Sequence, residues 1–138
     1  MADVTLTAAK VVAGSGAIVV EGTAGETIAQ GKAVCLNASN KYVLADCTDA
    51  DLDAAAGFAL TASINGGPIK VLTGGNMTTG EELTAGTVYV LSEDGLMRPL
   101  DEWLVESDYL TVMGVATSKS NLKVPNSGPI VTAYGATG

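Results

Sequence analysis

Short runs of alternating apolar and polar residues, each stopped by Gly, Asn, Asp or Ser, make up most of the chain. From Leu110 to Thr117 the alternation is regular. Leu110, Val112, Gly114 and Ala116 fall on one side and Thr111, Met113, Val115 and Thr117 on the other, the two-residue period of a β-strand. Comparable runs at 33–36, 42–45, 57–62, 69–72, 88–91, 96–99 and 122–124 also read as strands. Successive pairs flank turn chemistry at 37–41, at Asn65-Gly66, at Glu93-Asp94-Gly95 and at 118–121, so each pair reads as a hairpin. Val4-Thr5-Leu6 and Ile18-Val19-Val20 lie around Gly14-Ser15-Gly16, and Pro129-Ile130-Val131-Thr132 follows the last hairpin. The one helix candidate is a turn over 101–108, around Trp103 and Leu104. The pattern predicts one all-β domain over 1–138, a compact β-sandwich or barrel.

The hairpins come in two similar sets. Gly25-Glu26-Thr27-Ile28-Ala29-Gln30-Gly31 precedes Val34 and Leu36, and Gly80-Glu81-Glu82-Leu83-Thr84-Ala85-Gly86 precedes Tyr89 and Leu91, every counterpart 55 residues on. Gly57-Phe58-Ala59 matches Gly114-Val115-Ala116 at 57 residues, and Ile69-Lys70-Val71 matches Leu122-Lys123-Val124 at 53. The domain is therefore expected to be a duplicated double-hairpin unit, with copies at 25–72 and 80–124. Two copies are too few for an open solenoid, so they must close on each other. Gly25, Gly31, Gly80 and Gly86 are expected to shape the recurring turn before each first strand. The segment 125–138 lies beyond the second copy. Residues 1–16 lie outside the duplication and offer only Val4, Leu6, Val11 and Val12 as sizeable apolar anchors, so they are expected to form an arm that orders on a partner.

Composition narrows the function. Seven basic against fifteen acidic residues give a net charge of −8, which repels phosphate and argues against nucleic acid as a partner. The longest aliphatic run, Ala17-Ile18-Val19-Val20, is far short of a membrane span, and the start has neither basic nor apolar regions of a secretory signal, so no membrane partner or Sec-type export is expected. Cys35 and Cys47 sit in apolar text. Cys35 corresponds to Val90 in the second copy, so packing is favoured over a disulfide, and a simple hairpin sets Cys35 against position 43.

The candidate chemistry is sparse. The chain has no histidine, which removes the commonest general base, the usual nitrogen ligand for metals and every Ser-His triad. No catalytic residue, cofactor or metal ligand is expected. Asp49-Ala50-Asp51-Leu52-Asp53 begins like a calcium loop, but Ala54 stands where glycine is needed and Leu60 where the bidentate glutamate belongs. Asp46, Asp49, Asp51 and Asp53 on one connector and Asp101, Glu102, Glu106 and Asp108 on the other read as solvated acidic rims. The pieces Gly14-Ser15-Gly16, Gly66-Gly67 and Gly74-Gly75 lack the Lys-Ser/Thr of a phosphate loop and read as turns. The Gly-Glu-x-Ile/Leu text resembles the turn of biotinyl and lipoyl carrier domains, yet Lys32 and Lys41 lack the Asp-Lys-Ala or Met-Lys-Met setting of a modified lysine. Trp103 is expected either to anchor an interface or to plug the space between the copies.

Residues 20–125 also show a wider likeness. Ala24-Gly25-Glu26-Thr27-Ile28, 37–46, Gly57-Phe58-Ala59-Leu60, 86–92, 108–117 and Leu122-Lys123-Val124, in that order, resemble the decoration (cement) and head-fibre-base proteins of tailed bacteriophages. That resemblance implies a non-enzymatic β-rich virion protein, commonly a homotrimer. It would be made in the host cytoplasm and bound to the outer surface of the head, stabilising the expanded capsid by bridging major capsid protein subunits. The capsid-contact candidates are Val4, Leu6, Val11, Val12 and Trp103. The alternative is an adhesin-like or carbohydrate-binding β module of a fibre. The connector with Asp101-Glu102-Trp103-Leu104-Val105-Glu106 departs from the family pattern.

Overall fold

The structure, a computed structural model, describes residues 4, 6, 8–49, 51–100, 110–126 and 128–131. It is all-β, a curled antiparallel sheet forming a half-barrel. The strands are β1 (Val12–Ala13), β2 (Ile18–Thr23), β3 (Ala33–Leu36), β4 (Tyr42–Leu44), β5 (Gly57–Ala59), β6 (Pro68–Thr78), β7 (Val88–Leu91), β8 (Met97–Pro99), β9 (Thr111–Ser118), β10 (Asn121–Val124) and β11 (Ile130–Val131). A 3-10 turn, Ala8–Lys10, precedes β1. The expected helical turn at 101–108 lies outside the described residues.

The duplication is visible in the hydrogen-bond ladder. The strand order β4-β3-β5-β6-β10-β9-β7-β8 places the two sets of four in mirrored sequence, joined where β6 meets β10. Registers repeat as well. Val34 faces Leu44 and Cys35 faces Val43, while 55 residues on Tyr89 faces Pro99 and Val90 faces Arg98. Gly31 and Gly86, with φ of 92° and 86°, donate equivalent N–H bonds to Ala59 (2.8 Å) and Ala116 (2.7 Å). Left-handed backbone is costly for residues with a Cβ, so these two glycines fix the turn before each first strand. Gly25 and Gly80 do not adopt it. At Gly25 the constraint is space, since a Cβ would lie 3.1–3.3 Å from Val43, Lys41 and Asn37. The Asn65-Gly66 turn also differs from expectation. Only Gly66 takes a positive φ, and Gly67 N–H donates to Ile64 (2.9 Å), the geometry of a type II turn.

Each copy wraps an apolar interior. In copy one, β2, β6, β5, β3 and β4 are paired in turn. The ring closes where Gly25 N–H donates to Tyr42 C=O (2.7 Å), beside a parallel bridge between Ala24 and Tyr42. Inside lie Val34, Tyr42, Ala59, Ile69 and Val71, with Ile28 buried among them. Copy two curls round Tyr89, Leu91, Met97, Met113, Ala116, Leu122 and Val124, and Leu83, the counterpart of Ile28, is buried in the same cluster. The apolar residue of the repeated Gly-Glu motif is thus a plug for each interior.

The copies are not packed as equals. Directly opposed strand residues share a face, so Ala33, Phe58 and Leu72 lie together on the outward side of the copy-one ring. They are buried because they belong to the same cluster as the interior of copy two. β6 makes this possible. Ile69 and Val71 face the small interior, whereas Leu72 and Met77, an odd number of residues apart, both face the large one. Between them the ladder to β2 skips Thr73, and Gly75 takes a φ of 87°. That irregularity turns the strand over, as a bulge does. Gly74-Gly75 is therefore not a turn between elements but the inversion point of one eleven-residue strand.

The N-terminal segment corrects the expectation of a separate arm. Val11 is fully buried at 0% exposure, and Val4 and Leu6 pack against the same cluster. Val4 N–H donates to Met97 C=O (2.7 Å), Gln30 Nε2 donates to Val11 C=O (2.8 Å), and β1 pairs with the end of β6. The segment closes copy two on the side that Ala24 and Gly25 close in copy one.

Candidate docking surface

The contact candidates from sequence separate in space and in burial. Val4, Leu6 and Val11 are used internally, whereas Val12 is 51% exposed on β1. Trp103 lies outside the described residues. Exposed large apolar side chains occur on β1 and β2, where Ile18 and Val19 join Val12, at the 62–67 turn, where Ile64 is 72% exposed, and singly at Leu36, Leu100 and Ile130. Ile64, Ile28, Ala29, Ala62 and Pro68 line an open, largely apolar groove of about 630 Å³.

Among the described residues five strands pair on one side only, the short β1 and β11 and the longer β2, β4 and β8, and the chain treats the last three differently. On β4, Leu44 N–H donates to Glu26 Oε2 (2.8 Å) and Tyr42 C=O accepts from Gly25. On β8, Met97 C=O accepts from Val4. β2 pairs with β6 on its inner side. Leu60 N–H donates to Lys70 C=O (2.8 Å), so the polar backbone of Lys70 points toward β5. Glu21, opposite Lys70, must then point its own N–H and C=O away from the sheet. Val19, two residues earlier, does the same. Among the described residues nothing pairs with these outward groups. An unpaired edge bearing apolar side chains is a template for another strand.

The acidic rim is larger than the sequence suggested. Asp94 N–H approaches Asp46 Oδ2 (3.4 Å) and Cys47 N–H donates to Ser92 C=O (3.1 Å), so Glu93 and Asp94 join Asp46, Asp49, Asp51 and Asp53 at one end of the molecule. Asp46 Oδ1 accepts from the N–H and hydroxyl of Thr48 (2.9 and 2.6 Å), and Asp49 Oδ1 accepts from Asp51 N–H (2.8 Å). Burial raises the Asp53 carboxyl above its ordinary value, opposed by a backbone hydrogen bond and assisted by Asp49 and Asp51. Among the described residues no three potential ligands are arranged to hold a metal. The counterpart connector, with Asp101, Glu102, Glu106 and Asp108, lies outside them.

Cys35 and Cys47 form no disulfide with each other and are both buried, as packing residues are. Cys35 sits against Val43, as the hairpin reading requires. Cys47 Sγ accepts from the guanidinium of Arg98 (3.4 Å), which is itself only 2% exposed. Burial, then the charges of Asp53, Glu26 and Asp49, push the Cys35 thiol from 9.0 up to about 11. A thiol held protonated in the fold stabilises it fully below the unfolded value and ceases to do so as pH rises through the folded one. Stability should therefore fall between about pH 9 and 11, by about 2 kcal/mol from this group. Cys35→Val, which installs the residue of the second copy, should flatten that part of the alkaline limb in urea titrations; an unchanged limb would exclude Cys35 as its source.

No helix among the described residues is long and apolar enough to cross a membrane. Comparison with protein-family models, with curated proteins and with solved structures finds no match.

Proposed function

We propose that the chain is a structural virion protein that acts by binding alone. It decorates the outer surface of a tailed-phage head as a homotrimer and stabilises the expanded capsid by bridging major capsid subunits. The resemblance over residues 20–125 is the basis for naming the phage head. The observation that carries a binding role is the apolar open edge of β2, left unpaired where the chain's own residues close the edges of β4 and β8. A surface of this kind gains stability only when a partner covers it. A partner geometry present only in the expanded shell would shift the shell toward that state by mass action. Several weak contacts made by one trimer would add through effective concentration.

Light scattering after gel filtration should return about three chain masses. Purified protein should also co-sediment with expanded, undecorated heads and raise their melting temperature, and should bind unexpanded heads at least tenfold more weakly. A monomer that ignores expanded heads would end the proposal.

A further inference from the structure

We propose that the outer edge of β2 accepts an extended protein segment carrying an apolar residue and a lysine or arginine two positions apart. The segment would lie beside β2 as an added strand, its backbone meeting the outward N–H and C=O groups of Val19 and Glu21. The spacing follows from the strand itself. Val19 and Glu21 lie on the same outward face, because they oppose Leu72 and Lys70 along β6. A neighbouring strand therefore presents one side chain to Val19, which is 42% exposed, and another two residues away to the Glu21 carboxylate. An apolar contact suits the first and a cation the second, since opposite charges across a strand pair attract and like charges repel. Lys70 already opposes Glu21 on the β6 side, so the added cation would flank the carboxylate from its open side.

Charge also decides between a heterologous segment and a second copy of this chain. β2 contains no basic residue, so an antiparallel second copy would set Val19 against Glu21 and bring no cation to the carboxylate. It would also add another net charge of −8 to the pair. The stretch is short as well. From Gly25 onward the outer side of this chain segment is taken up by Tyr42, so a partner reaches only Val19 and Glu21 in the middle of β2.

The inference can be tested on the isolated full chain, independently of any phage particle. The probes are two seven-residue threonine peptides with valine at the second and sixth positions, one with lysine and one with glutamate at the centre. The lysine peptide should shift the amide resonances of Val19 and Glu21 and slow their hydrogen exchange. It should bind about three- to tenfold more tightly than the glutamate peptide, and Glu21→Lys should invert that preference. Unperturbed Val19 and Glu21 amides at millimolar peptide, or equal affinity for both peptides, would overturn the proposal. So would a doubled particle mass for Glu21→Val, because that would assign the edge to a second copy.

Discussion

Gly75→Ala should cost about 3–5 kcal/mol of unfolding free energy, close to the whole margin of an ordinary small domain. Gly66→Ala should cost only about 1–2 kcal/mol. The two glycines have nearly the same backbone, with φ of 87° and 86°, so a left-handed alanine is disfavoured equally at both. They differ in surroundings. A Cβ at Gly66 would meet nothing within 4 Å, whereas at Gly75 it would press on the carbonyl oxygen of Gly16 and lie 2.7 Å from Ala17 Cα. Those are backbone atoms of the turn joining β1 to β2, both of which are paired with β6, and they yield only if the ladders shift. Urea titration of both variants measures the difference. Equal losses would show that the ribbon gives way at no cost and that Gly75 matters for its conformation alone.

Deleting residues 1–16 should abolish cooperative unfolding and leave an aggregating product. The deletion removes Val11 from the largest apolar cluster, the bond from Val4 to Met97 and the β1 ladder, so one side of copy two is opened to water. The single change Val11→Ala should be a milder version, costing about 2 kcal/mol while keeping the fold. Thermal unfolding followed by circular dichroism separates the outcomes. A truncated protein with an undiminished sharp transition would restore the picture of a detachable arm.

Much of this fold was legible because its signals are local. Period-two runs and turn residues located β3, β4, β7 and β10 to within a residue, the hairpin reading set Cys35 against Val43, and the spacing of 55 that aligns Cys35 with Val90 reappears in the pairing of Val90 with Arg98. The misses share a physical cause. In sequence Gly74-Gly75 reads as a turn because a glycine that ends a strand and one that inverts it are chosen for the same freedom of φ, and only the partners on either side distinguish them. β1, two residues long, gives no periodicity to detect. The docking surface was legible only in part, through exposed Val12. Whether an edge is open depends on where Val4 and Gly25 donate their bonds and where Glu26 accepts one, and these contacts span up to 93 residues, from Val4 to Met97. The association of Glu93 and Asp94 with the first acidic connector is long-range in the same sense.

The inversion within β6 also sets how the two halves tolerate sequence drift. The ladders match Leu72 with Lys123, two residues away from the sequence match of Lys70 with Lys123, so the rung Ala33, Phe58, Leu72 of copy one corresponds in space to Val88, Val115 and Lys123 of copy two. The first three side chains are buried, while the last three are half-buried, half-buried and exposed. A polar residue accepted at position 115 is therefore excluded at 58, although both descend from one repeated motif. The halves have ceased to be interchangeable parts. Copy one can close its own interior but needs a neighbour for its back, and copy two supplies that neighbour, so exchanging their places in the fold would strand Phe58 and Leu72 in water and bury Lys123.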